Sequence, residues 1–449
     1  MSLLFFSVEN SEPYLTLEAK VMCGVIQKNL PIVGHLPALG SNEPLHRTLG
    51  AMADKYGKVF LIRLGIHLAL VISSWKWQKK VSPPTTRSSL HVKSLAVKLM
   101  GYDHLMLGFA SQGPYWHDVR KLATVELLSN HRLELLQHVH DMETNSFIKE
   151  LYAECIKNGG LVAVAMKERF EALGMNIAKL IAVGLVLVSD TVPFLGWLDV
   201  VNGYISKMKK TARELDFVLR NWVDEHRQRR LNRKINEEQD YIHVMLSTMD
   251  DGKISAQDAN TVIKANCLDQ LNLHVGKQRQ VDESGIKNLI YLQAIVKDTL
   301  GLYPAVPLSA PRESMEDCTV TGFHIPAGTH LFVNLWKLDR DPSIWLNPSE
   351  FIPERFLNDH ANLDARGLHF ENLPFISGRR KCPGISFELQ ELHLTLAQLL
   401  HAFELGTVSD TIVDMSEGPG LTVPKATPLE VILTPRLPSM LYDFNKQKE

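Results

Sequence analysis

A chain of 449 residues, 45% hydrophobic and 22% charged, carries enough apolar sequence for a large core, which excludes a disordered or collagen-like protein. The formal net charge of -2 gives no electrostatic ground for a nucleic-acid partner. Five cysteines (Cys23, Cys155, Cys267, Cys318, Cys382) are odd in number, far apart and free of C-x-x-C spacing, which speaks against a disulfide framework or zinc finger and for a reducing, intracellular setting.

Residues 1–30 show no periodic pattern and read as an atypical leader without a membrane anchor. Their apolar start ends at Ser7, and the longest apolar run of the chain, Leu180 to Val188, falls far short of the roughly 20 residues a spanning helix needs. Leu45, Leu49, Met52 and Tyr56 share one helical face, and Gly57 closes that helix. Val59 to Ser73, rich in β-branched residues with Gly65 near its middle, predicts a two-stranded hairpin and a small sheet near the N-terminus. The pattern is helical from Pro114 to about Gly160 and again from about Tyr204 to Lys234, whose basic end (Arg227, Arg229, Arg230, Arg233, Lys234) reads as a solvated helix terminus. His138-x-His140 lies in the first of these stretches, where i,i+2 side chains do not share a face, and reads as solvated histidines rather than a metal site.

A short helix is predicted past Asn288 and before Pro304. Extended segments follow through residues 318–335, turning at Pro326-Ala327-Gly328. Ile385, Leu389, Leu392, Leu396, Leu399 and Phe403 recur at the spacing of a long helix buried along one face. The tail reads as short strands. The fold class is mainly α with small β-sheets.

Immediately before that last helix, Phe375-Ile376-Ser377-Gly378-Arg379-Arg380-Lys381-Cys382-Pro383-Gly384 sets one cysteine among two glycines and three cations. A helix N-terminus, free backbone N–H groups and neighbouring cations all favour thiolate over thiol. A lone buried cysteine is usually inert packing; the fixed offsets of Gly378, Arg380 and Gly384 turn the reading toward an anionic ligand.

Phe375, Gly378, Arg380, Cys382 and Gly384 match F-x-x-G-x-R-x-C-x-G, and with this the chain resembles the cytochrome P-450 superfamily, in phrasing a plant microsomal clade acting on terpenoids and other specialised metabolites. Three further segments resemble that family: Pro353-Glu354-Arg355-Phe356, the Trp116-x-x-x-Arg120 pair, and Ala310-Pro311-Arg312. The resemblance covers 31–438, leaves 439–449 as a tail, and implies the P-450 fold. It implies haem, with Cys382 as the iron ligand, Phe375 beside the sulfur, and Trp116, Arg120, Arg312 and Arg380 on the propionates. It also implies an NADPH-dependent P-450 reductase as electron donor, dioxygen as oxidant, an apolar small molecule as substrate, and the cytosolic face of the endoplasmic reticulum as location, or the cytosol in the absence of an anchor.

Departures from the family pattern are legible too. Ile376 stands where a small residue is usual. The family's E-x-x-R is Asp298 and Gly301 here, so the buried network with Arg355 keeps an acid and loses an arginine. DANTVIKANCLDQLN runs directly into LHVGKQRQ, too short for a central helix, and the distal acid-alcohol pair has no counterpart; Ser189-Asp190-Thr191 reads as a loop elsewhere. Gaps are expected near 176–188 and 264–275. Two functions follow: a haem-dependent monooxygenase, or a catalytically impaired haem-binding relative from a damaged or mis-assembled gene.

Overall fold

The computed structural model describes residues 43–81, 94–100, 110–135, 137–173, 283–320, 323–408 and 422–443, with shorter stretches at 24–25, 30, 32–40, 88–89, 107–108, 188–192, 196–213, 216–217, 412–418 and 420. The first organised helix, α1 (Leu45–Tyr56), buries Leu49 and Ala53 and stops at Gly57, whose φ of 104° suits glycine and whose N–H donates to the Ala53 carbonyl. The hairpin follows as predicted. Strands β2 (Val59–Leu64) and β3 (His67–Ile72) pair antiparallel from Val59↔Ile72 to Leu64↔His67, with Gly65 at φ 61° in the turn.

That hairpin belongs to a larger sheet than a local reading suggests. Six strands run in the order β1 (Gly24–Val25), β2, β3, β9 (His330–Val333), β6 (Arg312–Ser314), β4 (Ser88–Ser89). The small N-terminal sheet is therefore half of a mixed one, because β9 docks parallel on β3 from Ala69↔His330 to Ile72↔Val333. β9 is buried at all four positions, the burial expected of a strand covered on both faces. Between β6 and β9, β7 (Cys318–Val320) and β8 (Phe323–Ile325) form a separate pair, and Gly328 turns at φ 80°. The extended segment ends at Val333: Asn334 caps the helical turn Leu335–Leu338 by accepting from the Lys337 N–H.

The long helical stretch from Pro114 is broken rather than continuous. Helix α2 (Pro114–Lys121) runs into a π-helical turn, Leu122–Leu127, then Asn130–Leu135, then α3 (Gln137–Lys157). The Thr124 hydroxyl donates to the Arg120 carbonyl at 2.9 Å, the kind of side-chain competition that loosens a helix at a bulge. Beyond α3, strand β5 (Val162–Ala165) pairs with the tail strand β11 (Glu430–Pro435), which also pairs with β10 (Phe403–Thr407). Short helix α4 (Trp197–Val201) follows. The predicted helix from Tyr204 is helical over 204–213 and at 216–217, and its remainder, with the basic run 227–234, lies outside the described residues. The expected gaps lie outside them as well, except for Val188.

Helix α5 (Ile290–Leu302) ends just before Pro304, and α6 (Ile385–Ala402) runs from the cysteine loop to β10. Leu292, Ile295 and Val296 of α5 pack with Ile385, Leu389 and Leu396 of α6, while Leu399 and Phe403 continue into a second cluster with Ile148, Leu151, Leu433 and Tyr442. Each such side chain contributes about 1.5–3 kcal/mol. A rigid base for whatever precedes α6 is the result.

Candidate functional site

The loop from Phe375 to Gly384 is closed by its own backbone: Cys382 N–H donates to the Phe375 carbonyl and Lys381 N–H to the Gly378 carbonyl, each at 3.1 Å. Gly378 sits at φ 79°, where a side chain costs about 1–2 kcal/mol. Ile376, the departure in the motif, is also left-handed at φ 62°, and packing against the Val333, Leu335, Leu338 and Leu373 cluster holds it there. Gly384 caps α6 at φ -89°, open to any residue; the glycine instead leaves space, since a Cβ there would lie 4.0 Å from Cys382 Sγ. Cys382 itself is half-buried and, with Phe375, packs against the α5–α6 cluster.

Three arginines converge on this loop. Trp116 of α2 is buried, with the Arg380 guanidinium 4.1 Å from its ring centroid and that of Arg120 5.3 Å from it. Arg120 Nη2 donates to the Lys381 carbonyl at 2.8 Å, and Arg380 Nη2 to the Ala110 carbonyl at 2.9 Å. Arg312, on β6, is 5% exposed. Burial pushes its pKa down to about 10, and Arg380 falls to about 10 through burial and the positive charges of Arg120 and Arg312. Burial likewise lowers Arg120, opposed by negative charge on the Cys382 sulfur. Nε and Nη2 of Arg312 and Nε and Nη1 of Arg380 are buried without a hydrogen-bond partner. Buried guanidinium groups in that state call for an anionic acceptor that bonds several N–H groups at once. The carboxylates of haem have that chemistry, and the residues fit the group.

Asp298 and Arg355 meet as an ion pair. Asp298 Oδ1 lies 3.2 Å from Arg355 Nε, and Oδ2 accepts the Ile352 N–H at 2.6 Å. Arg355 also donates to the Ile352 carbonyl at 3.0 Å and the Glu350 carbonyl at 2.8 Å, so backbone oxygens supply much of its pairing. Burial raises Asp298 to about 6 against the opposing pull of Arg355.

Two local readings are corrected. His140 is not solvated: it is 4% exposed, edge-on to Phe387 and 3.7 Å from Glu391, while the His138 side chain lies outside the described residues. Ser189-Asp190-Thr191 is not a loop but part of the helical turn Val188–Thr191, where the Asp190 carboxylate accepts from Ser94 Oγ and the Leu95 N–H, anchoring the helix Leu95–Met100. Among the described residues no three metal-ligating side chains converge. Sequence reasoning missed the Ala110 carbonyl, a backbone atom with no residue signature. The segment DANTVIKANCLDQLN lies outside the described residues.

A half-buried cysteine at a helix start, beside two buried arginines that each keep two nitrogens without a partner, forms a candidate site suited to an anionic group. A sequence profile described as Cytochrome P-450 matches residues 26–271 and 259–431, and the chain belongs to the cytochrome P-450 family of monooxygenases. It is 43% identical to strychnine-10-hydroxylase of Strychnos nux-vomica, over 92% of this chain and 91% of that one. It is also 41% identical to a xanthotoxin 5-hydroxylase of Arabidopsis thaliana and 42% to flavonoid-6-hydroxylase of Ocimum basilicum, each over 92% of this chain and 92% and 91% of theirs. These relatives are named as hydroxylases, so the comparisons carry the monooxygenase reading rather than that of an inactive haem binder.

Proposed function

We propose that this chain hydroxylates an apolar plant specialised metabolite, of the broad kind that its relatives' names give as strychnine, xanthotoxin or a flavonoid, with electrons from an NADPH-dependent P-450 reductase. The observation that carries it is the set of four unpaired guanidinium nitrogens on Arg312 and Arg380 beside the Cys382 loop. Cys382 would hold haem iron, and Arg312, Arg380, Arg120 and Trp116 its carboxylates. When bound, haem supplies reductive activation of dioxygen: with two electrons and two protons, one oxygen atom enters a C–H bond of the substrate and the other leaves as water. Arginine pairing would fix the group's orientation, and Phe375 packs with Cys382 against the α5–α6 cluster. Asp298 and Arg355 are positioning residues that tie α5 to the segment before the loop.

We assign 31–438 to one P-450 domain that has lost internal segments near 176–188 and 264–275. The alignment with the Strychnos relative supports this, running over 478 positions, more than this 449-residue chain contains, though only 92% of the chain takes part. The family profile matches in two pieces that meet at 259–271, beside the shortened central stretch.

The location we assign is the cytosolic face of the endoplasmic reticulum. No helix among the described residues is long and apolar enough to cross a membrane. The support is an apolar edge: Leu30, Ile32, the hairpin tip Ile66, and Trp197, Val200 and Val201 of α4 are all more than half exposed, and the tip is docked on the turn just before α4 through Ile66 N–H to Thr191 O.

The deciding experiment is the carbon monoxide difference spectrum of the reduced, haem-supplied protein beside Cys382→Ala. A Soret band at the thiolate-ligated position, absent from the variant, is expected. Failure to take up haem, or a band of a non-thiolate species alone, would overturn the assignment.

A further inference from the structure

Two Asn-Gly pairs occur in the chain, Asn158-Gly159 and Asn202-Gly203, and each follows directly on a helix. A glycine after asparagine leaves its backbone nitrogen unshielded by a Cβ, so that nitrogen can reach the side-chain carbonyl carbon. The fold treats the two pairs differently. Asn158 closes the 21-residue α3: its Nδ2 donates to the Glu154 carbonyl at 2.8 Å, and the Gly160 N–H donates to the carbonyl of the fully buried Cys155, also at 2.8 Å. The side-chain amide and the backbone around it are both held.

Asn202 closes α4, a helix of five residues in which Asp199 alone is buried. Its side chain is exposed, and among the described residues no hydrogen bond holds the amide. Backbone bonds from the Asn202 N–H to the Leu198 carbonyl at 2.9 Å and from the Gly203 N–H to the Val200 carbonyl at 3.0 Å secure this end. A helix this short is marginal, so the end opens at low cost. Gly203 is left-handed at φ 70°, and a Cβ on it would meet nothing within 4 Å among the described residues, so nothing crowds a ring closed there.

We propose that Asn202 is a site of spontaneous deamidation and that the carboxylate it leaves loosens the apolar edge from a bilayer; the second half rests on the membrane location assigned above. The Gly203 nitrogen leaves the Val200 carbonyl, gives up its proton and bonds to Asn202 Cγ, the bond from Cγ to Nδ2 breaks, and ammonia departs with that proton. Water then opens the five-membered imide at one or the other carbonyl, giving aspartate or isoaspartate, and no oxidant or reductant is consumed. One negative charge is gained beside Val200 and Val201, which are 62% and 71% exposed, and just before the helical stretch 204–213 with its exposed Lys207, Lys209, Lys210 and Arg213. A carboxylate there repels anionic headgroups and offsets the attraction of those cations.

The test is peptide mapping by mass spectrometry of the full, haem-supplied chain aged at mildly alkaline pH, with isoaspartate detected by enzymatic methylation. Conversion at Asn202 should run about tenfold or more faster than at Asn158, the worth of the side-chain hydrogen bond that Asn158 keeps. Asn202→Gln should stay unmodified, because its longer side chain would have to close a six-membered ring. In flotation with vesicles of phosphatidylcholine and phosphatidylserine, aged wild type and fresh Asn202→Asp should both bind about fivefold more weakly than fresh wild type, the effect of one charge at the surface, while aged Asn202→Gln should match its fresh form. An intact Asn202 after ageing, or equal conversion at Asn158, would sink the proposal. Undiminished flotation of converted protein would sink its second half. Fresh wild type that does not float overturns the membrane location and that second half with it, whereas the peptide map decides the first half regardless.

Discussion

Arg312 concentrates the argument at the scale of single residues. A guanidinium buried at 5% exposure with Nε and Nη2 unpaired is a cost in the apoprotein and a gain once an anion arrives. Arg312→Met should therefore raise the thermal midpoint of the apoprotein while weakening haem binding about tenfold or more, the worth of one charge-assisted pair. Haem titration followed by melting, with and without haem, reads both signs, and a midpoint that falls in both states would refute the idea. Asp298 carries a pH signature. Its folded pKa, raised to about 6 from 3.8, means the folded state holds the proton more tightly than the unfolded chain, so its contribution to stability is greatest below pH 4 and is lost as pH rises to about 6. Denaturant unfolding of wild type and Asp298→Asn should show a stability difference that moves against the wild type by up to about 3 kcal/mol across that window, two pKa units at about 1.4 kcal/mol each. A difference flat between pH 4 and pH 6 would show that Asp298 does not titrate there.

Among the secondary-structure elements, the hairpin β2–β3 shows how one glycine sets a tertiary contact. Gly65 is left-handed, and a Cβ on it would lie 1.8 Å from the Thr191 carbonyl. Gly57, at φ 104° and ψ 161° in a region reserved to glycine, has open space around it. Gly57→Ala should cost only the conformational penalty of about 1–3 kcal/mol, whereas Gly65→Ala should add a steric clash and undock the Val188–Thr191 turn. Limited proteolysis would detect new cleavage near residue 192 in Gly65→Ala and none in Gly57→Ala; equal behaviour would mean that the carbonyl shifts freely. Helix α6 anchors the cysteine loop by burying Ile385, Leu389, Leu396 and Leu399.

On the scale of the whole molecule, the six-stranded sheet ties residues 59–72 to residues 312–333, so the two halves of the chain share one layer. The hairpin in that sheet carries Ile66, one member of the apolar edge. Burying Trp197, Val200 or Val201 in a bilayer surface is worth about 1.5–3 kcal/mol per side chain, so Val201→Asp should weaken flotation with anionic phospholipid vesicles by about tenfold. An unchanged partition would remove the edge from the membrane assignment.

How far the sequence reaches depends on how local the physics is. The C-terminal glycine of α1 and the Gly65 turn follow from contacts within a few residues and were legible as spacing, whereas α6, expected to bury one face, is buried on all sides from Leu394 to Leu399, with Leu392 only partly covered. The cysteine loop was legible because its residue types recur at fixed offsets. Its surroundings were not: Arg312, Trp116 and Arg120 were nominated by resemblance, and only the folded chain shows them at one loop, with Arg380 stacked on Trp116 and donating to the Ala110 carbonyl. The break in the helix after Lys121, the burial of His140 against Phe387 and the docking of Asp190 on Ser94 likewise escaped a reading by periodicity. In each of these the deciding partner is a turn bulge, a distant aromatic or a backbone end. Sequence by itself determined the helical class, the hairpin and the place of the cysteine loop before a helix, since local propensity and spacing suffice for those. Tertiary structure alone decided which buried charges are paired and which still lack a counterpart, because pairing depends on atoms far apart in the chain meeting in a low-dielectric interior.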